Sequence, residues 1–310
     1  MLVKKKQFFL FSESNPLVNH KIKYFCAQLK NSMNSTEQLK QILEVLRTYS
    51  DYDLREYAEG SLLRRIERIR YNFKLDFKGL LTYLQSGKAA CNRFVEEITV
   101  NTTELFRDHQ VWIFLRTHIM PELEKRHHIN LWISGCSTGQ EVYSFAILLD
   151  HLNLLQKTTI YATDINRLVI ETAQKGVYRY RNNLDYLLNF EKVIGINPLN
   201  FDETNESLSS KYIQINKEKD LMIFSDFLKK KIIYQQHDLV KNPPLSYGKF
   251  DLISCRNVLI YMNQSLQTKI LSGYHEQLAN QSYLLLGINE SILGASALKY
   301  KKKGSVYIKT

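Results

Sequence analysis

The sequence predicts an α/β protein in which a parallel, doubly wound sheet follows a small helical domain. Three observations carry that prediction. Beyond about residue 130, short apolar runs alternate with amphipathic segments of helix length, the pattern of strands and helices in a parallel sheet. Before residue 100, apolar residues recur at three- and four-residue steps and strand-type runs are scarce, as in amphipathic helices. A chain of 310 residues is long enough to bury a real core and to divide into two domains.

The elements follow in order. Residues 1–35 show no clear period and are read as an N-terminal extension. A helical domain is expected over 36–100, where Leu39, Ile42, Leu43 and Leu46, then Leu62, Leu63, Ile66 and Ile69, mark apolar faces and no Pro falls between Pro16 and Pro121. The sheet domain is expected over 101–310. Its strands are read at Leu131–Ser134, Thr159–Thr163, Ile232–Gln236 and Phe250–Ser254, and its helices at Glu141–Leu152, Ile165–Gln174 and Gln264–Ala279. Ser282–Leu286 and Ser305–Lys309 read as late strands, an antiparallel pair closing the edge. Between Asn182 and Lys231 the alternation lapses for too long to be a simple loop, which implies an inserted subdomain.

Composition narrows the function classes. An apolar fraction of 44% with 24% charged residues belongs to a globular protein and excludes a disordered or fibrous one. Forty-two basic against 31 acidic residues leave a net charge of +11, which calls for an acidic partner: nucleic acid, an anionic membrane or an acidic protein surface. Cys26, Cys91, Cys136 and Cys255 lie far apart, a pattern of a reducing compartment without a disulfide scaffold or structural zinc. The pair His127-His128 has no companion ligands nearby in sequence and reads as a surface loop, so no metal is expected. No apolar run approaches the roughly 18 residues of a membrane helix. Lys4-Lys5-Lys6 before Phe8-Phe9-Leu10-Phe11 looks like a signal peptide, but Ser12-Glu13-Ser14 cuts it short and no cleavage site follows, so a cytoplasmic protein is expected.

Four runs carry the chemistry. In Leu131-Trp132-Ile133-Ser134-Gly135-Cys136-Ser137-Thr138-Gly139-Gln140-Glu141, a buried strand enters a loop of small residues and opens a helix. The glycines permit a tight turn and close approach of a ligand, and the helix start offers free N–H groups. The loop is not GxGxxG and lacks a P-loop Lys, which disfavours dinucleotides and nucleoside triphosphates. Ile160-Tyr161-Ala162-Thr163-Asp164 puts an acid at the tip of the next strand, where ribose hydroxyls are recognised in nucleoside-binding sheets. The alternative for Asp164 is a helix N-cap. A second acid, Asp238, follows the strand Ile232–Gln236. Two such acids without a phosphate-gripping loop suit a ligand with ribose and adenine but no phosphate, and S-adenosylmethionine is that ligand. The run from Phe250 through Cys255-Arg256-Asn257 to Tyr261 brings Arg256, Asn257 and Tyr261 beyond a strand end, where active sites of open sheets lie. Asn101-Thr102-Thr103-Glu104-Leu105-Phe106-Arg107-Asp108 joins the two domains and could cover a cleft or simply supply caps and a surface Arg.

Taken in order, these runs resemble the CheR family, the chemotaxis receptor glutamate methyltransferases. Thr103-Glu104-Leu105-Phe106-Arg107-Asp108 matches the family's junction pattern, Cys136 to Ser144 its cofactor loop except at Gln140, and the Ala-Thr-Asp-Ile and Cys-Arg-Asn-Val-Leu-Ile-Tyr runs match without change. The resemblance extends from about residue 38 to 309 and includes Leu285-Leu286-Gly287 and Glu290. It implies an N-terminal helical domain, an S-adenosylmethionine-dependent methyltransferase sheet and an inserted small β subdomain at about 188–232. It further implies that Asn101, Thr103, Arg107, Gly135, Glu141, Asp164, Asp238, Leu239, Arg256 and Asn257 contact S-adenosyl-L-methionine, with S-adenosyl-L-homocysteine as product, and that Arg107 and Tyr261 face the substrate carboxylate.

The implied partner is the acidic helical cytoplasmic domain of a methyl-accepting chemotaxis receptor, met by Arg64, Arg65 and Arg68. A monomer is expected that reaches the membrane only through that receptor and binds no nucleic acid; the rival readings are a methyltransferase of nucleic acid, which the aromatic-basic stretch Tyr178–Tyr186 would permit, or of another protein, and a cofactor-binding signalling regulator without turnover. Asp238 stands where many family members have Asn, which adds a charge near the adenine; residues 188–232 fit the family pattern poorly and a Gly-Gly common after Phe190 is missing, which argues against docking of a receptor peptide tether. Asn242-Pro243-Pro244-Leu245 approximates an amino-methyltransferase motif, but Leu245 is aliphatic and the run precedes its strand, so a turn is expected.

Overall fold

The computed structural model describes residues 35–99, 101–195, 210–241 and 247–310. Most of the expected extension, the Asn242-Pro243-Pro244-Leu245 turn and part of the expected insertion lie outside them. Two compact units are present, one reaching Arg55 and resuming over Glu59–Phe94, the other combining Glu56–Ala58 with Val95–Thr310.

The first unit is helical, with α1 over 35–49, α2 (Glu59–Phe73), α3 (Phe77–Gln85) and the start of α4 (Lys88–Ile98). Leu39, Ile42 and Leu46, Leu62, Ile66 and Ile69, and Leu80, Leu84, Cys91 and Phe94 are buried. Each Leu or Ile so buried contributes roughly 1.5–3 kcal/mol. Leu43 and Leu63 flank these faces and are only partly buried. Asp76 starts α3 by accepting the Gly79 N–H at 2.7 Å.

The second unit opens with α5 (His109–Phe114), which passes through a π-helical turn at Leu115–Ile119 into α6 (Met120–Glu124). Pro121 sits just inside α6; lacking an N–H, it cannot continue the regular ladder back into that turn. There follow β1 (Ile129–Ser134), α7 (Gln140–His151), β2 (Thr158–Asp164), α8 (Arg167–Lys175), β3 (Val177–Arg179), α9 (Leu184–Ile194), β4 (Ile213–Asn216), β5 (Leu221–Phe224), α10 (Asp226–Lys229), β6 (Ile232–Gln236), β7 (Phe250–Cys255), α11 (Gln264–Gln277), β8 (Leu278–Leu286), β9 (Tyr300–Lys303) and β10 (Val306–Lys309).

The main sheet has the order β6-β2-β1-β7-β8-β10-β9. The first five strands are parallel, and β10 runs antiparallel to both β8 and β9. Period-two alternation buries both faces. Leu131, Ile133, Leu252 and Leu285 join one core with α7, while Trp132, Ile253, Leu284 and Leu286 join a second core with α11. The two late strands pair antiparallel as expected, but the edge itself is β9. Its Lys301, Lys302 and Lys303 hide a strand from sequence reading, because lysine has low strand propensity and is tolerated at edges.

A separate three-stranded antiparallel sheet, β3-β5-β4, forms the inserted subdomain. Its first strand comes from before residue 188. Tyr143 of α7 stacks on Phe224 of β5 with ring centroids 4.1 Å apart, tying it to the main core.

Candidate active site

From β1 the chain winds outward to β2 and β6, then returns to the other side of β1 as β7. The crevice at that reversal, beyond the carboxyl ends of the strands, is where open α/β sheets bind ligands. Three of the four runs end there, and the fourth reaches it through Asp108, which pairs with Arg256.

The loop after β1 is tied down from the next strand. Gly135 and Cys136 both donate their N–H groups to the Thr163 carbonyl, at 2.8 and 2.9 Å. The Asp164 carboxylate accepts the Ser137 N–H at 2.8 Å and the Asn166 N–H at 2.9 Å. Gly135 has φ +75°, and a Cβ there would stand 2.4 Å from a Val258 methyl, so only glycine fits. The small sheet supports the same loop, since the Tyr178 hydroxyl donates to the Thr138 carbonyl at 2.6 Å. The helix cap of α8 is Asn166, whose side chain accepts the Leu168 N–H. Asp164 is therefore not the cap. Burial pushes its pKa above the ordinary aspartate range, opposed by the N–H groups of Asn166, Ser137 and Ile165. Burial also holds the Cys136 thiol well above its usual range, so it packs as a small apolar group.

Arg256, at the end of β7, is the centre of the crevice's charge network. Its side chain is 1% exposed. One nitrogen donates to Glu141 at 3.1 Å, and another to both the Asp108 carboxylate at 2.8 Å and the Arg107 carbonyl at 2.9 Å. Ser254 completes the Glu141 contacts, donating at 2.7 Å. Glu141 lies in the first turn of α7, where the helix dipole favours an anion. The 106–108 segment is strained, with Phe106 at φ +50° and Asp108 at φ +57°. Phe106 is fully buried, and its N–H donates to Ser144 at 2.8 Å. With Phe106 anchored and Asp108 paired, Arg107 is presented between them. Its guanidinium is half-exposed and makes no hydrogen bond or ion pair among the described residues.

Asn257 follows at φ +60°, held by a carboxylate from the loop after β8. Glu290, itself buried, accepts the N–H groups of Asn257 at 2.7 Å, Gly287 at 2.8 Å and Ile260 at 3.2 Å. A Cβ on Gly287 would stand 2.7 Å from that carboxylate. Tyr261 closes the short helical turn Leu259–Tyr261, is half-buried, and accepts the Ala58 N–H on its carbonyl at 2.8 Å.

The remaining assigned residues are more loosely placed. Asp238 accepts the Val240 N–H at 2.8 Å, and burial raises its pKa. Leu239 lines a cavity of about 280 Å³ with Trp132, His237, Ile270 and Tyr274. Asn101 and Thr103 lie in an irregular stretch, half-buried, without side-chain hydrogen bonds among the described residues. Helix α9 adds Tyr186: Phe190 meets Phe106 edge-on at 5.7 Å, and Tyr186 stands one turn earlier. Burial and the nearby Glu104 carboxylate raise the Tyr186 pKa, with Arg107 acting the other way. At the crevice, the buried Ser137 Oγ and Asn257 Oδ1 have no hydrogen-bond partner among the described residues. Such atoms are costly unless a ligand or water satisfies them. Among the described residues no group of three metal-ligating side chains converges.

Ser254 gave no signal in the sequence, and Tyr186 only as the end of the aromatic-basic stretch from Tyr178. Asp108 and Glu290 lie within the matched runs, but their partners are 148 and 33 residues away, which only folding reveals.

The family model described as CheR methyltransferase, SAM binding domain, matches residues 101–187 and 198–308, and the one described as CheR methyltransferase, all-alpha domain, matches residues 37–99. Cher3 of Pseudomonas putida is 31% identical over 265 residues, 85% of this chain and 92% of its own. A chemotaxis protein methyltransferase of Borreliella burgdorferi is 28% identical over 239 residues, 72% of this chain and 78% of its own. Among solved structures, magnesium protoporphyrin IX methyltransferase of Synechocystis with bound SAM matches at 13% identity and a TM-score of 0.31, covering 64% of this chain and 61% of that one.

Proposed function

The chain belongs to the CheR methyltransferase family and uses S-adenosylmethionine, and from that premise we propose that it esterifies glutamate side chains of a chemotaxis-type receptor. The observation that supports this reading is Arg107, an unengaged guanidinium fixed at the crevice by two strained, anchored neighbours. A guanidinium so placed fits a carboxylate acceptor in a bidentate manner.

The residues suit the cofactor's chemistry. Asp164 is an acceptor for ribose hydroxyls, Asn257 Oδ1 and Ser137 Oγ are buried polar atoms in want of partners, and no phosphate-binding lysine is present in the loop. When bound, the cofactor supplies an electrophilic sulfonium methyl and leaves as S-adenosylhomocysteine. A glutamate is ionised near pH 7, its ordinary pKa being about 4.3, so the protein need supply no strong base. What remains is positional: Arg107 and the Tyr261 hydroxyl hold one acceptor oxygen in line with the methyl group. Asn101, Thr103, Gly135, Glu141, Asp238, Leu239 and Arg256 complete the proposed cofactor contacts, with Glu141 and Arg256 also bracing one another. On the helical unit, Arg64 and Arg68 are exposed one turn apart and suit an acidic receptor helix; Arg65 is half-buried and contributes less.

The test is direct. Methyl-labelled cofactor is incubated with the protein and receptor-containing membranes, and the product is treated with base. Carboxyl esters release labelled methanol; label that resists base would sink the ester reading, and bound cofactor with no label transfer would point to a regulator. Arg107→Ala is expected to lower kcat/KM about a hundredfold, the scale of a small misplacement, with cofactor binding less affected.

Acidification gives a second expected outcome. Hydroxyl donation to Asp164 needs the ionised carboxylate, and burial has raised its pKa. Cofactor affinity should therefore fall, as pH drops, before it reaches the ordinary aspartate value of about 3.9. Stability responds oppositely. A raised folded-state pKa favours the folded protein below the unfolded value, and that contribution is lost as pH rises through the folded pKa. Asp164→Asn should reduce the pH dependence, leaving the part due to Asp238, and weaken binding roughly 10- to 100-fold. Titration calorimetry decides; affinity that stays flat down to the ordinary aspartate range would remove Asp164 from the contacts.

A further inference from the structure

The outermost segment of the main sheet carries features the methyl-transfer site does not use. No Asp or Glu follows Glu290, while five of the last twenty residues are Lys. Lys299, Lys301, Lys302 and Lys303 are all exposed, and none forms an ion pair among the described residues. Two large aliphatic side chains accompany them, Leu293 at 59% and Leu298 at 85% exposure. The segment is anchored. Ile292 and Tyr300 are buried on either side, the Ile292 N–H donates to the Tyr307 hydroxyl at 3.3 Å, and Thr310 donates to the Lys299 carbonyl at 3.2 Å. The leucines are thus held outward by a fixed backbone.

We propose that residues 293–303 form a docking face for an anionic lipid bilayer, with Leu293 and Leu298 entering the interfacial layer and Lys299, Lys301, Lys302 and Lys303 reaching acidic headgroups. Lysines on an edge strand also block unwanted strand pairing, but that role gains nothing from outward leucines, which promote association. A phosphodiester backbone likewise offers aliphatic side chains nothing. An acidic protein would have to supply a pocket matched to a protruding edge whose lysines diverge. Lys302 lies over the Tyr307 ring at 5.3 Å, and Lys303 over the Phe114 ring, in the opposite core, at 5.4 Å. A bilayer needs no shape match, accepts aliphatic groups from any direction, and is reached by flexible lysine stems from both faces. This contact is direct and independent of the acceptor's identity, unlike the expected attachment through a receptor alone.

The experiment is co-sedimentation of the full chain with vesicles of mixed phosphatidylglycerol and phosphatidylcholine, against phosphatidylcholine alone. Retention on the anionic vesicles only, released by salt, is expected. The triple variant Lys301→Gln/Lys302→Gln/Lys303→Gln should bind roughly a hundredfold more weakly, about fivefold for each lysine. Leu298→Ser should weaken binding about tenfold without changing its salt dependence. S-adenosylhomocysteine affinity and melting temperature, unchanged in both variants, verify folding. Equal retention on neutral vesicles, no retention, or full retention by the variants overturns the proposal. So does an inert Leu298→Ser together with duplex DNA competing as well as the vesicles, which would make the face a general polyanion surface.

Discussion

Arg256→Ala is expected to destabilise the sheet unit by about 3 kcal/mol and to lower its melting temperature by roughly 6–12 °C. The guanidinium lies between Glu141 and Asp108, whose side chains are 14% and 25% exposed. Removing it strands two carboxylates, and breaking a buried pair from one side costs about 3–5 kcal/mol. The lower figure applies because Asp108 can regain water. The same change frees the Arg107 carbonyl and the strained 106–108 segment, so methyl transfer should fall along with stability. A double replacement, Arg256→Met with Glu141→Gln, should recover part of the melting temperature and none of the activity, because fewer charges are left unpaired but Arg107 is still loose. If Arg256→Ala melted within about two degrees of the wild type, the network could not be holding the crevice together.

Glu290→Ala should leave the fold largely intact and reduce turnover about a hundredfold, the scale of a displacement near 1 Å at the reacting groups. Its carboxylate is the common acceptor for the loops after β7 and β8. Without it, Asn257 loses the bond that fixes its left-handed backbone, and Ile260, the neighbour of Tyr261, loses its own. Glu290 touches neither cofactor nor acceptor in this reading and is a positioning residue. Glu290→Gln distinguishes that role from bulk packing. It fills the same volume and keeps one acceptor oxygen, so turnover should be only partly restored, while Ala and Gln should melt at similar temperatures. Full activity in both variants would remove Glu290 from the site.

Much of the proposed site could be read along the chain, because its residues cluster at strand ends. The Ser134–Glu141 loop, Asp164 and Arg256-Asn257 each sit where a largely buried apolar run meets small or polar residues, and that boundary is visible in one dimension. The resemblance added Arg107 and Tyr261. What each group does to its neighbours was not readable. Glu141 and Arg256, both expected to contact the cofactor, also bond one another across 115 residues, and Asp164, read as either a ribose acceptor or a cap, also ties the β1 loop, while the cap of α8 is Asn166.

Apolar periodicity by itself determined the two-part organisation, the parallel strands and the helices between them, since burying alternate residues or every third and fourth one leaves few other folds open. The small residues of the loop after β1 were likewise legible along the chain, but the Val258 methyl that requires glycine at Gly135 is a tertiary contact. Only the tertiary structure decided which charges pair, that Glu290 joins two loops, and that three lysines form the edge strand β9. Pairing and edge placement depend on distance in space and exposure to solvent, and neither is written in the order of residues.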